Sequence, residues 1–285
     1  MLPRDLAHAC NGYAHVEALV DIAKSGVQAP LSKPLPRQDM YPTNHKSAYP
    51  VLVKNIHKEQ DVWSSTSMSS LSGQNPFGVV DKGDADPQTT GRVIHDLSFP
   101  ERSSVNDVTD TASIRTPEYE RCDAVATEII HQQESYPDAE VLLQAGDVNA
   151  AFHNVCTHSE SVYLFGGRLL PDNELVIDTS SAFGWCQLRC YWRCYCLSAR
   201  EIPKCLQNSR PVDDHINVAA TVGSNCTDVE HSLRQAMITV LGHGSINEDK
   251  FTAWASRQKI MGLIFDSVKR VVAMPESKIQ KAVAC

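Results

Sequence analysis

The chain has 285 residues, 42% of them hydrophobic, enough for one large domain or two subdomains around a real core. No apolar run reaches the ~18 residues of a membrane span, and Met1-Leu2-Pro3-Arg4-Asp5 lacks the charged-then-apolar pattern of a signal peptide, so neither a transmembrane helix nor secretion is expected. The formal charge of −8 gives no positive support for nucleic-acid binding. The excess is local: residues 101–150 hold three basic and eleven acidic side chains, and the remainder balances. The ten Cys read as reduced thiols of an intracellular protein, in cytoplasm or nucleus, rather than as a disulfide framework.

In chain order, Val16 to Ala23 reads as a helix. Residues 32–75, rich in Pro, Ser, Asn and His, read as loops with one short strand, Tyr49 to Val53. Phe77 to Lys82 and Arg92 to Leu97 read as a hairpin pair across the loop Gly83 to Gly91. Pro117 to Gln133 is helical by composition. The apolar run Val141-Leu142-Leu143 predicts a buried strand from Glu140 to Asp147, and Val148 to Asn154 opens a helix. Ser161 to Phe165 and Glu174 to Ile177 read as short strands. Asp228 to Leu241 is a helix ended by Gly242. Ile260 to Phe265 and Arg270 to Met274 form a hairpin, and there is no internal repeat.

Asp213-Asp214 lies in Pro211-Val212-Asp213-Asp214-His215, and Asp147 lies 66 residues upstream. An Asp-Asp pair is by itself an ordinary turn signal. With a third Asp at the carboxyl end of a strand, where open sheets place ligands, it fits two-metal chemistry. There two Mg²⁺ ions sit roughly 3.5–4 Å apart. Mg²⁺ takes hard oxygen ligands and keeps several waters, so two or three carboxylates plus substrate phosphates suffice.

A series of stretches then resembles the fingers and palm of a retrotransposon reverse transcriptase, nearest in flavour to the DIRS-like, tyrosine-recombinase elements. The stretches Phe77 to Lys82 and Gly91 to Ser98 resemble its paired finger strands, ending in Ser104-Val105-Asn106. Gly146 to Phe152 resembles the first catalytic motif, and Ala182-Phe183-Gly184-Trp185 the start of the template-contacting motif. Val212 to His215 resembles the catalytic Asp-Asp turn; Asn247 to Phe251 and Met261 to Asp266 resemble the elements after it. The shared order extends over roughly 230 residues, and chance does not readily supply that.

The resemblance implies the remaining roles. Asp147, Asp213 and Asp214 would hold Mg²⁺, with Mn²⁺ as a substitute. Phe152 would stack under the incoming sugar and exclude a 2′-hydroxyl, a role compatible with a core Phe. Lys82 and Arg92 would grip the triphosphate, Arg92 as a bidentate donor and Lys82 as a point charge. Lys250 would protonate departing pyrophosphate. His95 and Asp96, inside the finger motif, read as a packed or hydrogen-bonded pair before they read as a metal site. The partners implied are an RNA template, a DNA primer and deoxynucleoside triphosphates, with no membrane.

The pattern breaks after Trp185. A Ser-Pro and a Tyr- and Gly-containing helix are expected, but the chain runs through a stretch holding Cys186, Cys190, Cys194, Cys196, Tyr191, Trp192 and Arg193. Three readings fit it: a zinc site, a helix face of buried thiols, or translation of an alternate reading frame. The last is favoured, because Cys, Arg and Trp rise abruptly and no Cys-x-x-Cys pair is present. Pro211 stands where a strand residue is expected and donates no ladder hydrogen bond. The reading is therefore an α+β chain with a mixed or antiparallel sheet backed by helices, its thumb largely absent. Residues 1–31 form an N-terminal extension, 32–135 a fingers-like region, and 136–285 a palm-like region disrupted over 186–211. An RNA-directed DNA polymerase impaired by that disruption is expected. A non-catalytic nucleic-acid or protein binding module, or a product that does not fold, is the alternative.

Overall fold

The computed structural model describes residues 3–13, 15–35, 49–61, 65–68, 75–80, 89–113, 122–169, 174–186, 208–209 and 214–283. Helices α1 (Pro3–Ala9), α2 (Val16–Ser25) and α3 (Tyr49–Asp61) lead into strands β1 (Ser65–Met68), β2 (Phe77–Val80) and β3 (Arg92–His95). Helices α4 (Val105–Val108) and α5 (Cys122–Ser135) follow. Next come strands β4 (Val141–Asp147), β5 (Gly166–Leu169), β6 (Glu174–Asp178), β7 (Asn208–Ser209) and β8 (Asp214–Ala220), then helix α6 (Asn225–Leu241). Strands β9 (Arg257–Ile260), β10 (Leu263–Asp266) and β11 (Val271–Ala273) and helix α7 (Glu276–Val283) complete the order. All strand ladders among the described residues are antiparallel, as the α+β reading expects. No described helix is long and apolar enough to cross a membrane.

The chain divides into two units. The first comprises Met1–Leu19, Pro117–Ala151 and Arg193–Cys285, and the second Val20–Thr116 and Phe152–Trp192.

In the first unit β8 lies between β4 and β7. Alternation along the strands sends Val141 and Leu143 of β4, with Ile216, Val218 and Ala220 of β8, into one core. Val125 and Ile129 of α5, and Ile260 and Phe265, close that core. Each Val, Leu, Ile or Phe among them contributes about 1.5–3 kcal/mol on full burial. Helix α6, ended at Gly242, buries Leu233, Ala236, Met237 and Val240. Beyond α6 the chain returns along the edge of β4 away from β8, with bridges Val148–Ile246 and Leu143–Ala255.

Two expectations need correction. Val148 to Asn154 is not a helix throughout: Ala150 takes φ 45° and only Ala151–Asn154 winds, as a 3₁₀ turn. Ile260 to Phe265 is not one strand. Met261 at φ 53° and Gly262 at φ 75° make a two-residue reversal that pairs β9 with β10. Positive φ at both central positions is the primed turn that tight hairpins favour. The expected pairing with the following strand does form, Phe265 opposite Val272.

In the second unit β6 lies between β1 and β5, and β2 pairs with β3 as the sequence predicts. Val51, Leu52 and Ile56 of α3 pack on Phe77, Val79, Leu169 and Val176. The expected strand Tyr49 to Val53 is thus the first part of a helix. Pro50 stands in its first turn, where the missing N–H costs nothing. Ser161 to Phe165 is likewise not a strand: Val162–Phe165 is a 3₁₀ turn, and the buried Ser161 Oγ accepts the Ala29 N–H at 2.9 Å.

Candidate active site

Strand β4 ends on Asp147, a carboxylate only 5% exposed, and the register sets residue 147 opposite residue 214. Two of the expected carboxylate positions are thereby adjacent across one ladder. Asp213 belongs to the stretch that joins β7 to β8 and lies outside the described residues, as do Lys82 and the disrupted stretch 187–207. Of Asp214 the backbone pairing alone is described.

Two donors converge on Asp147 Oδ2. Lys250 Nζ lies at 2.9 Å, and Asn247 Nδ2 donates at 2.8 Å. Their segment is fixed to β4 by backbone bonds: Asn247 N–H donates to the Asp147 carbonyl at 3.0 Å, and Thr252 N–H to that of Ala145 at 2.9 Å. The Thr252 hydroxyl accepts the Ala145 N–H at 2.9 Å. Phe251 lies against Gly146, where a Cβ would come within 2.7 Å of Cε2 of its ring. The guanidinium of Arg234 covers that ring at 4.0 Å from its centroid and reaches Glu248 at 2.7 and 2.9 Å. A cation over an aromatic face and a two-bond carboxylate contact both favour a fixed geometry.

A polar chain continues from here into the sheet. Asn217 Nδ2 donates to Gln144 Oε1 at 3.0 Å across the β4–β8 ladder, where these residues are direct partners. Gln144 Nε2 donates to Glu230 Oε2 at 2.7 Å, Trp254 Nε1 to the same oxygen at 3.1 Å, and Arg234 Nε to Oε1 at 2.9 Å. Burial pushes the Glu230 carboxyl up, but the donors Gln144, Arg234 and Trp254 outweigh it and hold it below its ordinary value.

Asp147 offers hard carboxylate oxygens of the kind Mg²⁺ takes, and residue 214 is its partner in the register. Among the described residues no group of three or more His, Cys, Asp or Glu side chains is gathered to hold a metal. None of the five described cysteines, Cys10, Cys122, Cys156, Cys186 and Cys226, is in a disulfide.

The other sequence candidates lie in the second unit. Arg92 is exposed at the start of β3, opposite Val80. Phe152 is half-buried in its 3₁₀ turn, its ring 5.7 Å from that of Phe183. His95 is packed, as read, but its acidic neighbour is Asp178 rather than Asp96: Nε2 lies 3.8 Å from Asp178 Oδ2, and the ring packs 4.6 Å from Phe77. Burial, with His153 adding to it, lowers the His95 pKa to about 4. Burial raises Asp178 to about 6 against the opposing bonds from Ser180.

Sequence reading gave no role to Asn247, Glu230, Arg234 or Gln144. The i,i+4 spacing of Glu230 and Arg234 on a helix was a legible signal. Their link to Gln144 and Glu248 was not, since it depends on elements far apart in sequence.

No protein-family model and no curated protein matches this chain. Solved structures do match it. The foamy viral protease-reverse transcriptase in complex with double-stranded DNA matches 98% of this chain and 56% of that one, with TM-score 0.66 and 14% identity. Its complex with an RNA/DNA hybrid matches 98% and 36%, with TM-score 0.66 and 13% identity. A dRH form of the foamy viral protein with double-stranded DNA matches 98% and 48%, with TM-score 0.65 and 12% identity, so this chain spans about half its length. At such identity the likeness shows the fold alone, and that fold is reverse-transcriptase-like.

Proposed function

We propose that this chain is the polymerase portion of a retroelement reverse transcriptase, of the DIRS-like type its motifs resemble, adding deoxynucleotides to a primer on an RNA template. The observation that carries the reading is Asp147: a buried carboxylate at a strand end, opposite residue 214, with an ammonium on it at 2.9 Å. The fold adds support, since foamy viral reverse transcriptase binds double-stranded DNA and RNA/DNA hybrid in the matching structures.

In this reading Asp147, Asp213 and Asp214 hold Mg²⁺, which when bound supplies the charge that polarises the attacking hydroxyl and the phosphates. The primer 3′-oxygen attacks the α-phosphorus and loses its proton to solvent. The bond to pyrophosphate breaks, and Lys250 gives a proton to the departing oxygen. Lys82 and Arg92 grip the triphosphate, and Phe152, with Phe183 beside it at 5.7 Å, excludes a 2′-hydroxyl. The altered stretch after Trp185 and the proline at 211 favour a reduced rate, and on the same observation a binding module without catalysis is the second reading.

Primer extension on an RNA template, with Mg²⁺ and then Mn²⁺, tests this against Asp213→Asn. Extension that disappears in the variant is the expected result. Absence of extension from folded protein, with nucleic-acid binding that persists without Mg²⁺ and survives Asp213→Asn, selects the binding module.

A further inference from the structure

The contacts on Asp147 carry one step more, which rests on the reading that this residue holds a divalent cation. Lys250 Nζ touches Asp147 Oδ2 at 2.9 Å, so the ammonium supplies the positive charge a bound cation would supply. Two cations on one carboxylate oxygen repel at contact distance, and Asp147 itself is only 5% exposed, which reduces solvent screening on its side of the contact. A cation that takes this oxygen must displace the ammonium from it.

The surroundings specify which part moves. The backbone around Lys250 is tied down by the Asn247 N–H on the Asp147 carbonyl, by Phe251 against Gly146, and by Arg234 on both Phe251 and Glu248. The Lys250 side chain is 61% exposed, so its ammonium can withdraw into solvent by bond rotations alone. Asn247, an uncharged donor on the same oxygen at 2.8 Å, orients the carboxylate without competing for charge.

We infer that Lys250 is a cation-exchange latch: it neutralises Asp147 until a divalent cation displaces it, and that displacement frees the ammonium. Metal loading and release of the lysine are then one event. The general acid is withheld until the carboxylate carries its metal.

Mn²⁺ binding to the full chain, without nucleotide or nucleic acid, tests the latch through the electron paramagnetic resonance signal of free Mn²⁺. Lys250→Met and Lys250→Gln both remove the competing charge, and Mn²⁺ should bind about two- to fivefold tighter, the range of an ion pair with one exposed partner. Lys250→Arg keeps the charge and should stay near wild type. Asp147→Asn should bind Mn²⁺ more weakly. Unchanged or weaker binding in both neutral variants, with Asp147→Asn still impaired, overturns the latch and leaves the metal site standing. Undiminished binding in Asp147→Asn overturns the metal site and the latch with it.

Discussion

Gly146 and Phe251 fit backbone against ring: a Cβ on Gly146 would stand 2.7 Å from Cε2 and 2.9 Å from Cζ. The ring cannot easily yield, because Arg234 covers it at 4.0 Å while bonded to Glu230 and Glu248. The glycine one residue before Asp147 is therefore what lets the segment carrying Asn247 and Lys250 close on the carboxylate.

Gly146→Ala should cost about 1–3 kcal/mol, the usual range for overpacking. A lower urea midpoint at unchanged slope is the expected result. An unchanged midpoint would mean that Phe251 has room to move and does not hold the segment.

The Gln144–Asn217 bond spans direct partners of the β4–β8 ladder, three residues from the Asp147–Asp214 pair. A buried amide pair across the ladder resists a slip of register, since any slip breaks it. Gln144→Leu removes the Asn217 amide donor's acceptor at a residue 0% exposed and should cost about 1–3 kcal/mol. Combined with Asn217→Val, the loss should fall short of the sum of the singles by about 0.5–3 kcal/mol in a double-mutant cycle. Strict additivity would deny the coupling.

His95 and Asp178 give opposite pH dependences. The Asp178 carboxyl, raised by burial from 3.8 to about 6, binds its proton more tightly folded than unfolded, so falling pH through that window stabilises the fold. His95, lowered by burial from 6.5 to about 4, binds its proton less tightly folded, so falling pH from 6.5 towards 4 destabilises it. The slopes oppose each other over the shared range and largely cancel. Asp178→Asn removes one of them, so the variant should lose stability relative to wild type as pH drops from 6.5 towards 4. Urea midpoints at several pH values check this, and a constant difference would contradict it.

Much of the fold was legible where one period dominated. The apolar run Val141-Leu142-Leu143 gave β4, and the paired apolar runs gave β2 and β3. Failures came where a short apolar run fits two periods. Leu52 and Ile56 follow helical i,i+4 spacing, with Pro50 in the first turn of the helix rather than inside a strand. Met261 disguised a turn, because a non-glycine residue at φ 53° leaves no compositional mark. Asp147 and Lys250 were named by motif order, and the structure brings their side chains to 2.9 Å of each other. Asn247, and the contacts of Arg234 beyond Glu230, were missed because those partners are set by the packing of α6 and the returning segment on β4, which local sequence does not encode.

The most direct test of the account is addition of a single nucleotide to a DNA primer on an RNA template, by wild type and by Asp147→Asn of demonstrated fold. The account predicts that wild type adds the deoxynucleotide complementary to the template base and that the variant adds none. Extension undiminished by Asp147→Asn, or no extension at all from folded wild-type chain with either Mg²⁺ or Mn²⁺, would contradict it.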